Sequence, residues 1–188
     1  MPLNDAQRSE IEKIFLNFNE NNTGALSFDE FYNFLEYAWS NESSIQSMWS
    51  FNLNTPIAKF IFYGISNQSS NTVIFSDVLS LIEAVLDKDN DYLIRFIYKA
   101  MDSEHSDNIP IDVIPKSALL FGFDNCENKI NQKIYKKFGD GKKNLTYQEF
   151  YQLLTNPSKD NSVLTSKKNN PEESETNTVS KSACCLLI

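Results

Sequence analysis

Asn19-Glu-Asn-Asn-Thr-Gly-Ala-Leu-Ser-Phe-Asp-Glu30 is a twelve-residue stretch whose spacing decides how the chain around it folds. Counted from one to twelve, it sets side-chain oxygens at positions one, three, five and nine (Asn19, Asn21, Thr23 and Ser27). Gly24 falls at six, Leu26 at eight and Glu30 at twelve. A hard divalent cation needs about six or seven oxygens, and a short peptide supplies them only by folding tightly back on itself. Gly24 permits that turn, the Ala25 carbonyl is the expected backbone ligand, and Glu30 closes the shell with both oxygens. Phe15 and Phe18 before the loop, and Phe31, Phe34 and Leu35 after it, recur at helical spacing, so a helix is expected on each side.

The frame then repeats. The apolar residues at position eight are Leu26, Val73, Ile109 and Leu145, separated by 47, 36 and 36 residues. A near-constant period of this size marks a repeated supersecondary unit. In the second copy (66–77) the ligands decay: Ser66 stands at one, Asn71 at six, Ile74 at nine and the shorter Asp77 at twelve. This loop is read as metal-free. The third copy (102–113) offers Asp102, Glu104 and Ser106 at one, three and five, as weaker metal candidates. Asp107 at six tolerates a left-handed backbone less well than glycine, Val113 at twelve has no oxygen, and Asp112 comes one residue early. An inactive loop is expected there, with Pro115 delaying the helix behind it. His105, the single histidine, falls at position four with no other His or Cys nearby and reads as solvated surface. In the fourth copy, Leu145-Thr-Tyr-Gln-Glu149-Phe150 repeats Leu26-Ser-Phe-Asp-Glu30-Phe31. Its positions one, five and six, however, are Phe138, Lys142 and Lys143. Lysine among the ligands repels a dication.

Other punctuation fits helices. Asn4 with Gln7 predicts a capped first helix carrying Ile11, Ile14, Phe15 and Phe18; a helix is expected from about Phe28 to Trp39, and Ser40–Ser47 reads as a loop. Pro56 suits the start of a helix from Ile57 to Ile65, and Leu93, Phe96, Ile97 and Ala100 form one face of a helix over Tyr92–Met101. Asp124 with Glu127 predicts a capping box before Ile130, Ile134 and Phe138, and Gly139 a stop. Asp87-Lys-Asp-Asn-Asp91 imitates a ligand run, but Tyr92 and Tyr98 would hold its positions six and twelve, so it reads as a linker.

The 188 residues are 41% hydrophobic and 13% aromatic, which predicts a packed interior. Residues 156–188 carry four Lys against four Asp and Glu, so the net charge of −8 resides in residues 1–155. An acidic body argues against general nucleic-acid binding. Cys126, Cys184 and Cys185 suggest no disulfide framework and point to a reducing compartment. The start lacks the pattern of a signal peptide, Pro2 excludes glycine myristoylation, and no apolar run approaches the roughly 20 residues of a membrane span. No nucleophile–base pair, phosphate loop or His/Cys cluster suggests an enzyme.

With four units in register, the chain resembles the EF-hand calmodulin superfamily over roughly residues 5–155. The four-unit arrangement and the segment Phe138-Gly139 to Glu149-Phe150 are most similar to the calcineurin B and neuronal calcium sensor branch. The resemblance implies an all-α chain of two lobes, 1–86 and 92–155, joined by a linker at 87–91. Each lobe would open an apolar groove for the amphipathic helix of a protein partner. Only three methionines are present, so a narrow partner range is expected. One weak calcium site is expected, at Asn19–Glu30. Asn19 stands where the family has Asp, and Glu30 is the one carboxylate certain to coordinate, so the dissociation constant should be about 10⁻⁵ M or weaker.

Residues 156–188 form the fourth expected segment, a tail of Ser, Thr, Asn, Lys and Glu whose composition predicts disorder. It ends Cys184-Cys185-Leu-Leu-Ile188, which looks like a C-a-a-X prenylation box on Cys185, with Cys184 available for palmitoylation. One lipid binds a membrane only marginally, so a second signal is needed. Lys129, Lys133, Lys136, Lys137, Lys142 and Lys143 could also supply it, although a solvated helix face is the plainer reading of them. The expectation is a cytoplasmic, membrane-tethered calcium sensor or adaptor. The alternative is a calcium-independent interaction module or regulatory subunit whose loops are structural only.

Overall fold

Asn4 begins the first helix, α1 (Asp5–Phe18), with a reciprocal cap. Its side chain accepts from the Gln7 amide at 2.9 Å, and its own amide donates to Gln7 Oε1 at 3.0 Å. Together these bonds satisfy donors that the first helical turn leaves without partners. The chain is seen here in a computed structural model, which describes residues 3–41, 52–67, 69–122 and 127–155. Ser40 and Asn41 extend the next helix, α2 (Phe28–Asn41), beyond Trp39; the rest of the expected Ser40–Ser47 loop, Asp124 and Cys126, Cys184 and Cys185 all lie outside the described residues.

Asn54 caps α3 (Thr55–Ile65) by accepting from the Ile57 amide at 3.0 Å, with Pro56 in the first turn, where a missing N–H removes no intrahelical bond. The helices that follow are α4 (Phe75–Asp87), α5 (Asn90–Met101), α6 (Val113–Leu120), α7 (Glu127–Phe138) and α8 (Tyr147–Thr155). The protein is thus predominantly helical. Pro115 does not delay α6, which starts at Val113. The proline occupies the first turn, whose amides have no helical acceptor in any case.

Among the described residues, four two-residue strands sit in the loops between helices: β1 (Ala25–Leu26), β2 (Val73–Ile74), β3 (Ile109–Pro110) and β4 (Asn144–Leu145). They pair antiparallel, β1 with β2 and β3 with β4, setting Leu26 opposite Val73 and Ile109 opposite Leu145. All four of these aliphatic residues are fully buried. Their repeat in sequence therefore has a packing cause that needs no metal.

Two clusters of buried side chains lie beneath the paired strands. One gathers Phe15, Phe31, Phe34, Phe62, Leu81 and Ile82 around Leu26 and Val73. The other gathers Ile94, Tyr98, Ile114, Ile134, Phe150 and Leu153 around Ile109 and Leu145. The clusters meet where α3 packs along α5. Phe60, on α3, belongs to the second cluster, while Tyr92 and Leu93, on α5, lie against the first. Gly64 makes this approach possible, because a Cβ at that position would stand 2.3 Å from Phe96 Cε2. The stretch 87–91 is short structurally as well. Lys88 ends α4 in the left-handed conformation (φ 55°), and Asp89 caps α5 by accepting from the Tyr92 amide at 3.0 Å. An Arg8–Glu83 ion pair at 2.6 Å ties α1 to α4.

Candidate cation-binding loops

Asn19 ends α1, and although polar it is buried, at 5% exposure. Its Oδ1 accepts from the Thr23 amide at 3.1 Å and from Thr23 Oγ1 at 3.4 Å, while the Thr23 hydroxyl lies 2.9 Å from the Ala25 carbonyl oxygen. Positions one, five and seven of the loop are therefore brought together by the turn itself. Asn22 and Gly24 make that turn with φ of 50° and 74°. At Asn22 the short polar side chain tolerates the left-handed region, and at Gly24 no Cβ opposes it.

Glu30 closes the loop from the other side. As third residue of α2 it forms a capping box with Ser27: Oε2 accepts from the Ser27 amide and hydroxyl, each at 2.8 Å. Oε1 reaches back across the loop to accept from the Glu20 amide at 3.2 Å. The Ser27 amide, and after it the Ser27 hydroxyl, hold this carboxyl below the usual carboxylate range. Asn21 is exposed. The donors are amide, hydroxyl, carbonyl and one carboxylate, a set of the chemical kind that suits a hard cation; Oε2 already accepts two bonds, while Oε1 accepts one and keeps a lone pair. A bound calcium ion would supply the positive charge around which these donors close.

The third loop repeats this turn bond for bond. Asp102 Oδ1 accepts from the Ser106 amide at 2.9 Å and its hydroxyl at 3.0 Å, and the Ser106 hydroxyl donates to the Asn108 carbonyl at 2.8 Å. His105 and Asp107 take the left-handed conformation where Asn22 and Gly24 do in the first loop. Asp102 Oδ2 adds a bond from the Asp107 amide at 2.9 Å, and Tyr98 Oη holds the Asp107 carbonyl at 2.7 Å. Burial, helped by Asp102 and Asp107, pushes the Tyr98 phenol up to about 12. Glu104 is exposed. The closing carboxylate is missing: Asp112 is exposed and pairs with Lys116 at 2.6 Å. The first loop thus has a closing glutamate and a neutral first position, while the third has a charged first position and no closing glutamate.

The even-numbered loops hold lysines. In the fourth, Glu149 forms the same capping box with Thr146 that Glu30 forms with Ser27, at 3.0 Å from the amide and 3.1 Å from the hydroxyl. Its Oε1 accepts 2.5 Å from Lys142 Nζ, which also sits 5.9 Å from the centre of the Phe138 ring. The Lys142 ammonium is the first cause holding the Glu149 carboxyl below its ordinary range. Beside the second loop lies a polar cavity of about 210 Å³, lined by Ser66, Ser70, Thr72, Ile74, Asp77 and Lys99. Those loop residues are positions one, five, seven, nine and twelve. Lys99 enters from α5 and donates to the Ser66 carbonyl at 3.3 Å; burial pushes its pKa down, and Asp77 opposes that shift.

Nothing in linear spacing pointed to Lys99, which lies 33 residues from the carbonyl it meets. Lys137, one of the lysines around the fourth unit, donates to the Gln152 carbonyl. Among the described residues no three His, Cys, Asp or Glu side chains gather at one point, and no helix is long and apolar enough to cross a membrane. Neither a known protein family nor a curated protein matches the chain.

Proposed function

We propose that the chain is an EF-hand protein of four units in two lobes, tethered to the cytoplasmic face of a membrane. In this reading it acts as a calcium sensor or adaptor for a protein partner that presents an amphipathic helix. The observation that carries the calcium part is the first loop. Asn19 Oδ1, the Thr23 hydroxyl and the Ala25 carbonyl converge within hydrogen-bonding distance, and Glu30 closes the same loop at Glu20. That the turn recurs at Asp102–Asn108 supports a purpose beyond chance loop geometry. Asn21, Ser27 and Glu30 complete the set of residues that would hold the ion.

Calorimetric calcium titration of wild type and Glu30→Gln tests this. The glutamine removes the charge and keeps one acceptor oxygen, enough for the Ser27 amide but not for the Glu20 amide as well, so calcium heat should fall sharply. Heat that survives unchanged would remove the first loop as the site. The tether rests on the sequence Cys184-Cys185-Leu-Leu-Ile188. Cys185→Ser should release the protein from membranes on cell fractionation, and unchanged retention would sink the anchor.

A second reading has its own support. Glu149 and Lys142 close the fourth loop with an ion pair of the chain's own, and both capping boxes hold their loops through hydrogen bonds alone. On that reading the loops are structural clips and the partner is bound without calcium. Calcium raised to about a millimolar, well above the expected dissociation constant, would then leave tryptophan fluorescence and exposed apolar surface unchanged, where the sensor reading requires both to respond.

A further inference from the structure

We propose that Lys142 and Lys99 are the resident cations of the fourth and second loops, each ammonium standing where a divalent ion would be held. The inference goes beyond the calcium reading and stands whether or not the first loop takes up calcium. In the fourth loop the ammonium is bracketed by the residues at the two ends of the ligand frame. Position twelve, Glu149, contacts it at 2.5 Å, and position one, Phe138, turns its ring toward it at 5.9 Å. A phenyl face attracts a cation where the frame otherwise places an oxygen. The pair is partly buried, the side chains being 31% and 27% exposed, so solvent screens it less than a surface pair.

The second loop reaches the same end by a different route. Its cation comes from α5, outside the loop, into a cavity lined by five of the loop's ligand positions together with Ile65 and Asn67. The Ser66 carbonyl accepts from it, and Asp77 at position twelve supplies the opposing charge. One lysine lies inside its loop and the other 33 residues from its acceptor, so the two loops are independent instances. Each strand pair therefore joins a loop that already holds a positive charge to one that holds none. The β1–β2 and β3–β4 pairings are kept in place without metal, and any divalent ion is confined to the first and third loops.

The test uses the full chain in chelator, comparing Lys142→Met and Lys99→Met with Lys13→Met. Lys13 is an exposed lysine 3.6 Å from Glu10, and its removal controls for the loss of one positive charge from an acidic protein. Each of the first two substitutions should lower the Tm by roughly 2–4 °C, and the control should leave it nearly unchanged. All three variants melting alike would overturn the proposal. A second measurement needs neither lysine variant to fold. Calcium titration of Glu30→Gln with Asp102→Asn leaves the second and fourth loops intact. Asn19 shows that an amide serves the turn at position one. No calcium heat is expected. Residual heat that disappears on adding Glu149→Gln or Asp77→Asn would place a divalent ion where the lysines are and overturn the proposal.

Discussion

Replacing Gly64 by alanine sets two effects of opposite sign against each other. Gly64 lies inside α3, where helix propensity alone favours alanine by about 0.8–1 kcal/mol. Packing opposes it. The added Cβ would stand 2.3 and 2.5 Å from Cε2 and Cδ2 of Phe96 and 3.1 Å from the Phe96 carbonyl oxygen. Carbon atoms approach comfortably only to about 3.5 Å, so the ring must retreat by roughly 1 Å. It is held edge-to-face against Phe60, with centroids 6.1 Å apart, and the backbone oxygen cannot rotate away. Overpacking of this kind costs about 1–3 kcal/mol. With the backbone contact included, the net expectation is a loss of about 1–2 kcal/mol and a Tm lower by roughly 2–8 °C. Thermal unfolding should be followed by tryptophan fluorescence, which reports Trp39 and Trp49 in the first half of the sequence, and by far-ultraviolet circular dichroism, which reports both halves. Because the α3–α5 contact joins the two buried clusters, the two signals should shift together. Phe96→Leu in the same chain should recover part of the loss by giving the new methyl room. An alanine variant as stable as wild type, or more so, would refute the close packing of α3 on α5.

Asn19→Asp should raise calcium affinity at the first loop about tenfold or more, because affinity follows ligand charge and Asp102 holds the same turn with a carboxylate; calorimetry reads this, and an unchanged affinity would argue that no ion sits there. Tyr98 has a folded pKa of about 12 against about 10 when unfolded, so the stability it contributes is complete below pH 10 and lost as pH climbs through 12. In an ultraviolet absorbance titration at about pH 11, wild type should retain one neutral tyrosine that Tyr98→Phe lacks. Glu30 and Glu149 are both depressed, so their contribution is present above the unfolded carboxylate value of about 4.3 and lost as pH falls through their lower folded values. Carboxyl NMR titration should find the Glu149 pKa rising toward normal in Lys142→Met while that of Glu30 stays put.

Local and periodic features could be seen in the sequence. Leu26, Val73, Ile109 and Leu145 recur because each fills one side of a strand pair, and a buried aliphatic position tolerates little else. Asn4 with Gln7, and Gly24 at the turn, are decided by bonds within four residues of themselves. Glu30 was legible only in part. Ser27 and Glu30 have the spacing of a capping box and also of two ligand positions, and since both uses demand the same separation, sequence cannot tell them apart. The positive charge at Lys142 was visible as a misfit among ligands, but not its partnership with Glu149, which depends on the loop closing. Lys99 was hidden altogether, as was the meeting of Gly64 with Phe96. Both arise from α3 lying along α5, a contact between residues about 32 apart with no local signal.

The junction at Lys88 and Asp89 bears on how a signal could travel. Its one left-handed residue is fixed by the end of α4, and its one cap is fixed by the start of α5. The junction is thus tied on both sides to the helices it joins. A displacement that starts at one loop pair should therefore reach the other as the turning of a lever about α3 and α5. The angle between the two pairs would then report the state of the molecule, and spin labels on α2 and α8 would read it as a change in distance.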